Sequence, residues 1–215
     1  MNYRNRLLAC FTLLLLGTLG FLGGCATTGM DRSVKTSNSI REVDSEIRKM
    51  VVNLNATAES LDSLFLANQP DLKKSFDTYS SDLKDLDQQG ERVIKRVDDM
   101  RDSSTAYFAE WEKQGDAYTN PQIRQLSEER REKLAAIYAQ VPAAGAGIEA
   151  DYLVYLTDLK EIQQYLSTDL TVGGVDAISP VAKKSVRNLD ALKASIRPVI
   201  YALDEINGEL YGSGE

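Results

Sequence analysis

The chain has 215 residues, 43% hydrophobic and 27% charged, with a formal net charge of −7, two cysteines and no histidine. The length allows one domain or two, and the composition is that of a folded chain, neither disordered nor collagen-like. The missing histidine removes Ser-His-Asp and Cys-His catalysis and the commonest zinc ligand, and the acidic balance argues against a nucleic-acid partner, whose phosphates need clustered Lys and Arg.

The first 24 residues read as an address. Met1–Arg6 carries Arg4 and Arg6 and no acid, and the run from Leu7 to Leu22 is almost purely apolar. This is the layout of a secretory signal, and at about 16 residues the run is shorter than the roughly 20 a membrane-spanning helix needs. It ends in Leu22-Gly23-Gly24-Cys25, which resembles the lipobox of bacterial lipoproteins. The resemblance implies cleavage before Cys25, diacylation of its thiol and acylation of its new amine. Small residues ahead of the cysteine let an extended chain enter a peptidase cleft. Each buried methylene of the lipid contributes about 0.8 kcal/mol, so two or more acyl chains hold where one is marginal. Ala26 follows, where an aspartate would signal retention at the inner membrane, so the resemblance implies the periplasmic face of an outer membrane. Removal of Arg4 and Arg6 with the signal takes the net charge from −7 to −9. Cys10 leaves as well, and with Cys25 lipidated the mature chain has no free thiol. That excludes a disulfide, thiol catalysis and Cys-ligated metal.

Residues 25–38 are polar and read as a tether behind the lipidated cysteine, with residues 39–215 as a single helical-bundle domain. Ser39 and Glu42 are spaced as a capping box. Ile40, Val43, Ile47, Met50, Leu54, Thr57, Leu61 and Leu64 then follow at alternating steps of three and four, a heptad pattern that Val51, Ala58 and Phe65 widen. A stripe this wide suits a helix with two neighbours. Asn68-Gln69-Pro70-Asp71 reads as a break and restart, with Pro70 in the first helical turn and Asp71 at the positive end of the dipole. The next stripe runs Leu72, Phe76, Tyr79, Leu83, Leu86, Val93, Val97, Met100, Tyr107, Trp111 and Tyr118, with Gly90 and Ser104 at its weak positions. A helix over 70–117 is roughly 70 Å long at 1.5 Å per residue.

Asn120-Pro121 repeats the cap-then-proline start. The third stripe, Ile123, Leu126, Leu134, Ile137 and Val141, keeps phase past Pro142 into Ile148, Tyr152, Tyr155, Leu159, Ile162 and Leu166, which favours one kinked helix over a loop at Ala143–Gly147. Residues 170–179, with Gly173-Gly174, read as a connection, and Ser179-Pro180 as a third start. The last stripe is Val186, Leu189, Leu192, Ile196, Val199, Leu203, Ile206 and Leu210, with Pro198 a second kink and residues 212–215 a frayed end. No segment alternates with period two. The expected fold is all-α: an elongated antiparallel bundle of about four long helices with heptad packing, in up-down order.

Candidate sites are few. Asp82, Asp85 and Asp87, and further on Asp98, Asp99 and Asp102, invite calcium or acid–base readings, but a straight helix cannot wrap its own carboxylates around an ion. Their place off the apolar stripe makes a solvated face the better reading. Arg92, Lys95 and Arg96, like Arg130, Arg131 and Lys133, are interleaved with acids and form no phosphate stripe. Tyr107, Phe108, Trp111 and Tyr118 form an aromatic cluster. Tyr107, Trp111 and Tyr118 hold core phase, whereas Phe108 lies beside the seam, so Phe108, Trp111 and Tyr107 are the candidate partner surface. Tyr152, Tyr155, Tyr165 and Tyr201 carry hydroxyls that need partners where buried. No residue set announces a catalytic centre, a cofactor or a metal.

Two stretches, SIREVDSEIRKMVVNLNATAESLDSL (39–64) and DLKEIQQYLSTDLT (158–171), resemble a family of helical, coiled-coil-rich bacterial envelope lipoproteins that has no established activity. The resemblance covers 39–171 and implies an all-helical envelope protein with no catalytic residues to carry over. The reading that follows is a non-enzymatic scaffold or adaptor, fixed to the membrane through its N-terminal lipid and meeting an envelope protein or peptidoglycan, with a homo-oligomer also open. One alternative is a membrane-active bundle that lays its apolar faces on lipid. Another is a carboxylate-dependent enzyme of cell-wall glycan.

Overall fold

Helical periodicity dominates the computed structural model, which describes residues 29–66 and 71–211. The expectations placed on residues 1–28, including the signal and Leu22-Gly23-Gly24-Cys25, lie outside the described residues, as do Asn68-Gln69-Pro70 and 212–215. The chain divides into two units, residues 1–32 and 33–215. Of the first, Gly29–Arg32 are described and are helical. Five helices are present among the described residues: α1 (Gly29–Ser63), α2 (Leu72–Gly115), α3 (Pro121–Gly145), α4 (Ile148–Thr168) and α5 (Val172–Tyr211). No strand occurs among these residues.

All eight alternating positions of α1 and the turn after it, Ile40 through Leu64, are buried, with Thr57 filling its gap at 0% exposure. The Thr57 hydroxyl lies 2.8 Å from the Asn53 carbonyl and 3.2 Å from that of Asp82 on α2, sharing its proton between them. The helix begins ten residues before the expected Ser39 start. The Ser39 hydroxyl donates to the Thr36 carbonyl at 2.7 Å, so it is satisfied inside the helix and caps nothing. Thr36 and Ser37, read as tether, are buried.

Asp71 is the N-cap of α2, its carboxylate accepting from the Lys74 amide at 2.9 Å, and Asn120 caps α3 with Pro121 in the first turn. Both follow from side-chain acceptors meeting the orphan amides of a helix start. Three starts and stops differ from the sequence expectation. The third rod is two helices, because Gly147 takes φ +89° and so ends the helical run that Pro142 had already weakened. The expected connection over 170–179 is mostly helix. α5 starts at Val172, where the Thr171 hydroxyl accepts from the Gly174 amide at 3.1 Å and donates to Asp169 at 2.7 Å. Gly174 is there for space: a Cβ would sit 2.3 Å from the Asp169 carbonyl oxygen. Pro180 and Pro198 both fall inside α5. Thr171→Ala is expected to cost about 1 kcal/mol as a lost cap, lowering the melting temperature by roughly 2–4 °C in thermal unfolding.

Within residues 33–215 the cross-links order the rods. Gln89 meets Glu46, and Arg96 meets Glu42, so α2 runs antiparallel to α1. The Tyr79 hydroxyl donates to the Leu159 carbonyl at 2.7 Å, and Trp111 to Ser127 at 2.8 Å, so α3 and α4 both run back along α2. Glu209 pairs with Arg130 and Lys133, and Lys193 donates to Asn55, which closes α5 against α3 on one side and α1 on the other. The unit is therefore an up-down-up-down bundle of four rods, the third broken at Ala146-Gly147. Its core runs through all four, from Ile40 and Leu54 through Leu83, Leu159 and Leu203.

Ile123, Leu126 and Tyr118 are the exceptions to the stripe, at 48%, 66% and 40% exposure. They keep core phase, but α5 ends at Tyr211, with Glu209 level with Arg130 and Lys133. The last two turns of the α2–α3 hairpin thus lie beyond the last described residue of α5.

Candidate functional site

Helices α2 and α3 need a contact where the hairpin leaves the bundle, and aromatic rings supply it. Tyr107 lies 5.2 Å from Phe108 and 5.5 Å from Trp111, centroid to centroid, with tilted planes. Phe108 meets Tyr138 of α3 edge-on at 5.2 Å and 89°, an arrangement in which ring edges face negative ring faces. The Trp111 indole N–H donates to the Ser127 hydroxyl. Tyr107, Phe108 and Trp111 are half-buried, so the structure brings the three sequence-predicted residues together. Phe108, expected beside the seam, makes the inter-helix contact. Tyr118, expected in the core, stands at the open end, where its carbonyl accepts from Arg124 at 2.6 Å. Tyr138 and Ser127 belong to the cluster and were not singled out in the sequence, because nothing local tells which α3 residues stand opposite Phe108 and Trp111.

A cavity of about 210 Å³ opens beside the break in the third rod. Met50, Gly90, Val97, Val141, Gly145 and Ile196 line it, one or more from each rod, and Asp98, Arg101 and Glu149 stand around it. An apolar cavity of about 150 Å³ already accepts a benzene-sized molecule, so this one admits a small apolar group. It was not legible in advance, since it depends on how the two ends at Gly145 and Ile148 seat against α2.

The buried tyrosines are structural. Tyr152 donates to the Leu86 carbonyl at 2.8 Å, as Tyr79 does to Leu159, and burial pushes both phenols far up from their ordinary range. Tyr155 is pushed up to about 12 by burial, and its hydroxyl has no partner among the described residues. Tyr165 and Tyr201, expected across the bundle, are exposed instead. The acidic runs behave as surface charge. Asp87 pairs with Lys160 at 2.8 Å, Asp98 with Arg101 at 2.6 Å, and Asp99 with Lys95 at 3.0 Å. Asp82 and Asp85 contribute backbone carbonyls to α1, and Asp102 is exposed. Among the described residues no group of three or more acids or cysteines is placed to hold a metal ion, and no helix is long and apolar enough to cross a membrane.

These features define a class, an all-α bundle of four antiparallel rods with an aromatic-braced α2–α3 hairpin. Residues 30–206 match the family described as "Protein of unknown function (DUF2959)", and the chain belongs to that family. The match extends past both ends of the 39–171 stretch on which the sequence resemblance rested. No curated protein and no solved structure matches the chain.

Proposed function

We propose that the chain is a non-enzymatic, lipid-anchored scaffold or adaptor of the bacterial cell envelope, held through Cys25 on the periplasmic face of the outer membrane. The observation that carries this reading is Leu22-Gly23-Gly24-Cys25 at the end of an apolar run that Arg4 and Arg6 precede. Two features support it. A rod of 44 residues is roughly 66 Å long, a length suited to presenting a face at a distance from an anchor. Thr57, Tyr79, Gln89 and Tyr152 of the bundle interior hydrogen-bond from one rod to another, and the carboxylates Asp87, Asp98 and Asp99 pair with surface cations. The partner on this reading is an envelope protein or peptidoglycan.

Radiolabelled palmitate should enter the wild-type protein in cells and fail to enter Cys25→Ser. The variant, with no Cys25 thiol to acylate and so no lipobox to cut, should keep its 24-residue signal and run larger on a gel than the wild type. Label in the variant, or none in the wild type, would refute the anchor. Crosslinking in intact cells should then trap one discrete envelope adduct, and its absence in every growth state would count against the adaptor role.

A further inference from the structure

We infer that the cavity beside the break in the third rod is a binding site for a small organic cation, an amine carried on an apolar aryl or alkyl body. The inference goes beyond the scaffold reading and does not depend on the lipid anchor, because every residue involved lies within 33–215.

The lining sets the body of the ligand. Ile47, Met50, Val93, Val141, Ile196 and Val199 are buried and form the inner wall. The Tyr152 hydroxyl is the uncharged polar side-chain group of the lining, and it is already engaged with the Leu86 carbonyl. A polar group placed deep inside would lose its water without gaining a side-chain partner, whereas an apolar one loses nothing. Room sets the size. Since about 150 Å³ takes benzene, about 210 Å³ takes roughly eight or nine non-hydrogen atoms.

The opening sets the charge. Asp98, Arg101 and Glu149 are the charged side chains of the lining and are exposed, so they mark where the cavity meets solvent, in the groove between α2 and α4. Asp98 holds Arg101 at 2.6 Å. Further along the groove Asp87 holds Lys160 at 2.8 Å. Glu91 and Glu149 make no hydrogen bond or ion pair among the described residues. Asp87 and Glu91 lie close enough that, after burial, their charges are the next causes holding the Tyr152 phenol above its ordinary range. Asp87, Glu91, Asp98 and Glu149 thus face Arg101 and Lys160 alone. Such a rim repels a carboxylate or phosphate and draws a cation. The ammonium end can stay at the rim, partly in water, while its body fills the space behind.

Placement gives binding a consequence. Gly145 and Ile148, at the two ends of the break, both line the cavity, together with residues of α1, α2 and α5. An occupant touches α3 and α4 at once and stiffens the rod where its backbone is interrupted.

Titration calorimetry of the full chain with three ligands of one body tests this: 2-phenylethylamine, its neutral counterpart 2-phenylethanol and the anion phenylacetate. The amine should bind one to one. It should raise the melting temperature by about 2–4 °C at about five times its dissociation constant. It should bind about two- to fivefold more tightly than the alcohol, as a cation beside an exposed carboxylate does, and the anion should bind most weakly. Glu149→Gln, a change on the surface, should bring the amine close to the alcohol and leave the alcohol as it was. Gly145→Leu places the cause inside the cavity. A Cβ there meets nothing nearer than Val199 at 3.9 Å, so the variant should fold as the parent does by circular dichroism, fill the space and bind neither ligand. No heat from the parent with millimolar amine, the alcohol or the anion bound as tightly as the amine, or undiminished binding to a folded Gly145→Leu overturns the inference. Each of these results leaves the lipid anchor standing.

Discussion

Substituting alanine for Gly90 is expected to lower stability by about 2–4 kcal/mol, read as a fall of roughly 5–15 °C in the melting temperature. A Cβ at this position would sit 2.2 Å from the Tyr152 hydroxyl oxygen and 2.4 Å from two ring carbons, distances that real contacts do not show. Tyr152 is 3% exposed and, like Gly90, lines the cavity of about 210 Å³ beside the break, so the ring can yield only toward that space. If it moves, its hydroxyl leaves the Leu86 carbonyl, and an unmade buried hydrogen bond costs about 1–3 kcal/mol. If it stays, α2 and α4 separate, and overpacking of a filled core costs a similar amount. Replacing glycine in a helix returns about 1 kcal/mol, too little to reverse the sign. Far-UV circular dichroism on the single variant and on Gly90→Ala/Tyr152→Leu checks the cause. The double variant removes the ring that clashes and should lose less than the two single changes added together. A single variant as stable as the parent would mean that α2 and α4 do not meet here.

Gly90 also shows where sequence reading stops. As one position of a stripe it registers as a weak point, a missing side chain where a leucine would pack. The structure makes it the seat of a tyrosine from another helix. The local part was legible: the alternating steps from Ile40 to Leu64 decide which face of α1 turns inward, because a helix has one period and each side chain's direction follows from it. Asn120-Pro121 was legible for the same reason, since a cap acts on its own next turn. What depends on two rods at once was not. Ile123 and Leu126 keep phase and are still exposed, because phase sets only the face they share and not whether a described turn of α5 stands opposite it. Ser179-Pro180 carries the same signature as Asn120-Pro121, yet Thr171 caps the helix earlier and Pro180 falls inside it. Of the site, Tyr107, Phe108 and Trp111 could be picked out from their spacing, whereas Tyr138 required knowing the α2–α3 register.

Replacing Gln89 by leucine is expected to cost about 2–3 kcal/mol at neutral pH, with an acid dependence that identifies the lost bond. Gln89 is 2% exposed on α2 and reaches across to α1, donating at 2.9 Å to the Glu46 carbonyl and at 2.7 Å to its carboxylate. Its own oxygen accepts from the Arg92 guanidinium at 2.7 Å and 3.1 Å, so every polar atom of this buried amide is used. Leucine matches its size and makes none of these bonds. Hydrogen bonds from Lys49 first and Gln89 second hold the Glu46 carboxyl below its ordinary value of 4.5. A lowered carboxylate contributes stability that is fully present above the ordinary value and is lost as the pH falls through the lowered one. Wild type should therefore weaken on acidification below about 4.5, in the range where Glu46 takes up a proton. The variant keeps the Lys49 bond and lacks the Gln89 bond, so its Glu46 is lowered less. The stability gap between the two proteins should be widest at neutral pH and narrow as the pH drops below 4.5. Urea unfolding across that interval measures it directly. A gap that stayed constant with pH would assign the cost of the substitution to packing and the carbonyl bond, and would leave the carboxylate of Glu46 without a part in joining α1 to α2.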